Sequence, residues 1–125
     1  MRNVCTILLT FVALCSAVSA GDWPWYRGPN HDGISTETDW SSDWPAEGPK
    51  VLWRAEIGVG FSSIVVADGR AYTMGNVDKE TDVVWCFDAA TGKELWSHRY
   101  ACPLEAKYYD GGTLSTPTVD NGKVY

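Results

Sequence analysis

The side chains that could do acid–base, metal or thiol chemistry are few and scattered. The two histidines, His31 and His98, lie far apart and have no companion cluster at a spacing typical of zinc or copper sites. The acidic run Asp78, Glu80 and Asp82 lacks the glycine and distal glutamate of a calcium loop, so it predicts a solvated connection between strands. These residues predict no catalytic, cofactor-binding or metal site, and they leave open whether the protein is an enzyme.

The N-terminal residues carry the pattern of an export signal. One arginine, Arg2, precedes an uncharged apolar stretch, and Val18-Ser19-Ala20 places small residues where a signal peptidase reads them. This pattern predicts a signal peptide at residues 1–20, cleaved before Gly21, and a periplasmic or secreted protein. The apolar stretch ends before the length of about 20 residues that a span needs, and no later segment predicts a membrane span.

Two cysteines follow the predicted signal. Cys86 lies on a predicted strand, and Cys102 lies about 20 Å beyond the position opposite Cys86, at about 3.3 Å per residue. That separation is beyond the reach of a disulfide, so two unpaired thiols are predicted.

Composition and charge exclude some classes of protein. The 125 residues are 45% hydrophobic, which is typical of a globular protein. The formal net charge is −6, from 10 Lys and Arg against 16 Asp and Glu, without a basic cluster. Such a chain gains nothing from phosphate neutralisation, so no nucleic-acid partner is expected.

Residues 21–50 form an irregular segment rich in tryptophan and proline. It contains Trp23, Trp25, Trp40 and Trp44 but no helical or strand period. The rings either pin this segment against a body that lies further along the chain, or form a surface for a ligand or partner. A sugar-binding module would use them in the second way.

From residue 51 the pattern is that of short strands. Strands are predicted at 51–57, 61–67, 70–74, 83–87 and 93–100, with a polar loop at 75–82. Asp68-Gly69 between apolar runs predicts a hairpin whose two central residues have positive φ. No helical period occurs after the predicted signal, so the fold class is all-β, with an antiparallel meander.

Part of this pattern is repeated. Residues 62–72 return as residues 115–125 with the same spacing, and Asn121-Gly122 replaces Asp68-Gly69 at the turn. Leu52-Trp53 is echoed by Leu95-Trp96. A four-stranded unit that restarts after its fourth strand is typical of a β-propeller blade.

The turn after the third strand of this unit carries the most specific motif. This motif spans residues 86–96. Its Asp88 carboxylate can accept hydrogen bonds from turn N–H groups and from the Thr91 hydroxyl. Gly92 can adopt positive φ, and the Trp96 indole can lie over a neighbouring blade and donate to a backbone carbonyl there. Asp88, Thr91, Gly92 and Trp96 are therefore predicted to form a structural docking motif between blades.

This motif, which departs only at Cys86, resembles the tryptophan-docking motif of the pyrroloquinoline-quinone-like (PQQ-like) β-propeller repeat proteins. The resemblance covers residues 22–125. It implies that residues 51–125 are the start of a β-propeller of four-stranded antiparallel blades. They would supply a closing strand at 51–57, a full blade at 61–100 and a partial blade at 113–125. We expect residues 51–125 to supply about one and a half blades of an eight-bladed protein. That protein would be about three to four times as long as this sequence.

The function that the resemblance implies is a binding or assembly scaffold with an unknown protein or small-molecule partner. The alternative is a PQQ-dependent alcohol dehydrogenase or a related quinoprotein. Such enzymes hold PQQ between a tryptophan and a disulfide of adjacent cysteines, and they add calcium and a catalytic aspartate. This sequence has no adjacent cysteine pair. PQQ and calcium are therefore expected only if the enzyme alternative holds.

Overall fold

The structure is a computed structural model that describes residues 21–38, 40–107 and 109–125. The predicted signal at 1–20 lies outside these residues. Their secondary structure is all-β and contains no helix, and so no helix that could cross a bilayer. A four-stranded antiparallel sheet has the order β1-β2-β3-β4, and β5 and β6 form a second, two-stranded sheet. The strands are β1 Val65–Ala67, β2 Arg70–Val77, β3 Thr81–Asp88, β4 Glu94–Ala101, β5 Val119–Asp120 and β6 Lys123–Val124.

Tight turns set the register of the large sheet. Asp68 and Gly69 between β1 and β2 have φ of 50° and 69°, as the sequence predicts. Asp78 and Lys79 also have positive φ, 54° and 62°, and they turn β2 directly into β3. The predicted polar loop at 75–82 is therefore wrong at both ends, because most of its residues extend the two strands.

Two apolar clusters cover the two faces of the large sheet. On one face, Val65, Tyr72 and Cys86 are buried together with Val119 of the hairpin that β5 and β6 form, which we call the second hairpin. On the other face Trp85, with its neighbours Val83 and Phe87, is buried against the segment that precedes the sheet. Alternate residues of β3 thus face opposite clusters, as the two-residue period of a strand requires.

The segment 51–57 forms no strand, although the sequence predicts one there. Its inward residues are the predicted alternating ones, because Trp53, Ala55 and Ile57 are half-buried and their neighbours are exposed. Ala55 and Ile57 pack on the face of the sheet rather than pairing along an edge. Alternation therefore predicted which side chains point inward but not where the backbone hydrogen bonds go.

The N-terminal segment is irregular. It contacts the first hairpin, formed by β1 and β2, and the second hairpin, formed by β5 and β6. Trp23 pairs with Val66 of β1 through backbone hydrogen bonds of 2.7 and 3.0 Å, and the Pro24 carbonyl accepts the N–H of Val119 at 2.9 Å. Trp40 and Trp44, by contrast, are 71% and 59% exposed, so they do not pin the segment.

The second hairpin has the same geometry as the first. Val119 is opposite Val124, as Val66 is opposite Ala71 at the corresponding positions 53 residues earlier. Asn121 and Gly122 have φ of 47° and 73°, close to the values at the first turn. The two hairpins also touch at equivalent positions, where the Ser63 N–H donates to the Thr116 hydroxyl at 3.0 Å.

Candidate functional site

The turn between β3 and β4 is held by the Asp88 carboxylate. Its Oδ1 accepts hydrogen bonds from the Thr91 N–H at 2.8 Å and from the Thr91 hydroxyl at 2.7 Å. The Thr91 hydroxyl and then the Thr91 N–H hold the pKa of Asp88 below its usual value, because both donate to the charged form. Gly92, with φ of 71°, closes the turn by donating its N–H to the Asp88 carbonyl at 2.8 Å.

This turn receives the side chain of Trp53. The Trp53 Nε1 donates to the Ala89 carbonyl at 3.0 Å, and its ring lies directly over Gly92. A Cβ added to Gly92 would come within 2.5 Å of the Trp53 ring. Glycine is therefore required here twice, once for the positive φ and once for the space that the indole occupies.

Trp96 lies elsewhere. Asp88, Thr91 and Gly92 come together at the turn, but Trp96 is on the face of β4 and is 39% exposed. Its ring centroid is 6.0 Å from that of Tyr72, and it lines an open groove of about 400 Å³ between the large sheet and the second hairpin. Docking of Trp96 onto a neighbouring blade stays a prediction.

A buried polar cluster lies at the opposite end of the sheet, where β2 turns into β3 and β4 leaves the sheet. Asn76 and Asp82, only 3% and 7% exposed, are opposite each other on β2 and β3. The Asn76 Nδ2 donates to Asp82 Oδ1 at 2.8 Å and to the Cys102 carbonyl at 2.9 Å. The Tyr100 hydroxyl donates to Asp82 Oδ2 at 3.3 Å. Asp82 thus joins three strand ends.

The Asp82 carboxylate raises the pKa of two neighbouring groups. Its hydrogen bond with the Cys102 thiol, followed by burial, raises the pKa of that thiol. Burial, followed by the Asp82 charge, raises the pKa of Tyr100. A raised thiol pKa makes Cys102 a poorer nucleophile and a poorer metal ligand than an ordinary cysteine thiol. Cys86, the other free thiol, is buried in the core.

Beside this cluster is a cavity of about 470 Å³, bounded by the segment 101–105 and Gly112. Of the described residues, those that line it include Asp82 and Glu105 but no lysine or arginine. The size is within the range of small-ligand sites, and the charge favours a positively charged group. In the described parts of the chain, no group of three or more His, Cys, Asp or Glu side chains is placed to hold a metal ion.

Sequence reasoning missed this end of the sheet. It predicts a solvated Asp82 and a loop at Asn76, because polar residues between strands are typical of loops. The signal that could have found them is symmetry. Asn76 and Asp82 are each three residues from Lys79, so a hairpin centred on Lys79 brings the two polar residues opposite each other.

The sequence matches no model of a known protein family, and no curated protein matches it.

Proposed function

We propose that this chain belongs to an exported β-propeller repeat protein that acts as a binding scaffold. The observation that carries this proposal is the docking of Trp53 on the turn that holds Asp88 and Gly92. It joins a segment outside the four-stranded sheet to the sheet itself, through a turn whose residues resemble the docking motif of PQQ-like propellers.

The order of tryptophans and hairpins along the chain supports a radial arrangement. Trp53 and Trp96 both follow a leucine, and each precedes one of the two matching hairpins. If every unit presents one tryptophan and one receiving turn, each sheet packs face-on against the next, as in a propeller. In the proposed propeller, the contact between a tryptophan and a receiving turn recurs between successive sheets around a closed ring.

The cavity beside Asp82 and Glu105 supports a binding role. It lies where the loops between strands meet, and ligands commonly bind at loops that a rigid scaffold positions. Since the charged residues among those described in its lining, Asp82 and Glu105, are both acidic, the proposed ligand is a small molecule or partner segment that presents an ammonium or guanidinium group.

The test is titration of the exported protein with agmatine as a cationic probe, followed by heteronuclear NMR. We expect saturable shifts at Cys102 and Gly112, and about tenfold weaker binding by the Glu105→Gln variant, the size expected for loss of one charge-assisted contact. Glu94→Gln, at the other end of β4, is the matched control and should bind as the parent does. The proposed binding site would be contradicted if agmatine caused no NMR shifts. It would also be contradicted if Glu105→Gln and Glu94→Gln weakened agmatine binding equally.

The same preparation tests the oxidoreductase alternative. PQQ and calcium are added together with ethanol and a redox dye. Dye reduction that depends on both additions would favour the quinoprotein alternative over a non-catalytic scaffold.

A further inference from the structure

The first residue of the predicted mature chain lies against an acidic side chain. The Gly21 backbone nitrogen donates to Glu37 Oε1 at 2.6 Å. The same nitrogen would become the α-amino group if the predicted signal were removed at Ala20, so its partner in the fold determines how the mature N-terminus is held.

Residues 21–23 are positioned by the first hairpin of the large sheet. Asp22 Oδ1 accepts the N–H of Asp68, at the turn between β1 and β2, at 3.1 Å. Trp23 forms a backbone bridge with Val66 of β1. Because the residues on the C-terminal side of Gly21 are anchored in this way, the position of its nitrogen is set by the sheet.

The surroundings of the Gly21 nitrogen favour a positive charge. It borders a small cavity of about 210 Å³, and among the described residues that line this cavity the charged ones are Asp22 and Glu37. The remaining lining is uncharged and includes Trp23 and Ile34. An ammonium group there would be attracted by both carboxylates.

We propose that signal-peptide removal creates an ion pair between the Gly21 α-ammonium and Glu37, which fixes the mature N-terminus on the sheet. This inference rests on the proposed export. A signal peptidase adds water across the Ala20–Gly21 peptide bond; Ala20 leaves with the carboxylate, and the Gly21 nitrogen becomes an amine that takes up a proton. The neutral amide donor at Gly21 thereby becomes a charged ammonium donor at the same position. The ion pair with Glu37 therefore exists only in the processed protein.

The test uses full chain produced in an exporting bacterial host. Intact mass and N-terminal sequencing report the cleavage point, and a ¹³C-methylated α-amino group is titrated by NMR. We expect a Gly21 start, and an amine pKa about half a unit higher in the parent than in Glu37→Gln, as for an exposed ion pair. Glu47→Gln, an exposed glutamate in the same irregular segment, should leave that pKa unchanged.

Added salt provides a second measurement that does not depend on a variant. At 0.5 M NaCl the amine pKa should fall in the parent and change less in Glu37→Gln, because salt screens the pair. An equal pKa in both proteins would overturn the ion pair and leave export intact. Cleavage at another bond would overturn the inference alone, whereas an unprocessed chain retained inside the cell would contradict the proposed export as well.

Discussion

Trp53 and Trp96 each follow a leucine and each precede one of the two matching hairpins, but their surroundings in the fold differ. Trp53 lies over Gly92 and donates its indole N–H to the Ala89 carbonyl. Trp96 stands beside an open groove and is 39% exposed. The two indoles share a preceding leucine and differ in what faces them.

What faces Trp53 is a turn with three properties. The Asp88 carboxylate holds the turn, Gly92 leaves the space that the ring occupies, and the Ala89 carbonyl is free to accept a hydrogen bond. The motif Asp-x-x-Thr-Gly occurs once in the sequence, at 88–92. Docking therefore depends on both surfaces, and a tryptophan that follows a leucine contributes only one of them.

The sharpest test of this difference is removal of the docked ring. Trp53→Ala deletes a half-buried indole and its hydrogen bond, and it uncovers the apolar face around Phe87. We expect the free energy of unfolding to fall by about 3 kcal/mol, at the low end of the range for large aromatic deletions. Urea denaturation of the exported protein measures this loss. A midpoint equal to that of the parent would mean that the Trp53 contact contributes nothing to stability.

Gly92→Ala attacks the same contact from the turn side. The added Cβ would lie 2.5 Å from the Trp53 ring at a φ of 71°, so we expect a loss of about 2 kcal/mol from strain and displacement of the indole. Gly69→Ala is the matched control, since Gly69 has a similar φ of 69° but no atom within 4 Å of the position that a Cβ would take there.

A double-mutant cycle separates the two contributions at Gly92. In a Trp53→Ala background, Gly92→Ala should cost no more than Gly69→Ala does, because only the backbone strain is left. If Gly92→Ala costs the same with and without the Trp53 ring, the two residues are not coupled, and the docking account of this turn is wrong.

The sequence predicted the local geometry of this end of the sheet better than the geometry of the other end. The positive φ at Asp68-Gly69 and the hydrogen bonds within 88–92 follow from short-range chemistry that any chain with these residues would adopt. The partner of that turn could not be predicted in the same way. Trp53 is 36 residues from Ala89, and the local sequence does not specify which sheet face it meets.

The polar end of the sheet was predicted poorly for a related reason. Burial of Asn76 and Asp82 depends on their being opposite each other and on Cys102 reaching the same point. Taken singly, each of these residues is more typical of a loop or a surface. Only the register of β2 and β3 shows that the Asn76 amide group donates to the Asp82 carboxylate, while Asn76 Oδ1 is buried without a hydrogen-bond partner.

Trp96→Ala should be the milder of the two tryptophan deletions. With 39% of the residue exposed and one ring contact to Tyr72, we expect a loss of about 1 kcal/mol in the free energy of unfolding. Urea midpoints measured beside those of Trp53→Ala give the difference directly. A loss equal to that of Trp53→Ala would show that Trp96 is docked in solution on a surface that the described residues do not provide.

The smallest effect expected is a pH dependence that originates at the receiving turn. The Thr91 hydroxyl and N–H lower the pKa of Asp88 in the folded state, so ionised Asp88 stabilises the fold at pH values above its unfolded pKa of about 3.9. That stability is lost as the pH falls through the lower, folded pKa. Asp88→Asn should therefore have a lower urea midpoint than the parent at pH 7, and the two midpoints should converge toward pH 2. Asp110→Asn, at an exposed aspartate outside the strands, is the control and should show no such convergence. A gap between parent and Asp88→Asn that stays constant from pH 7 to pH 2 would mean that the charge of Asp88 does not hold the turn on which Trp53 rests.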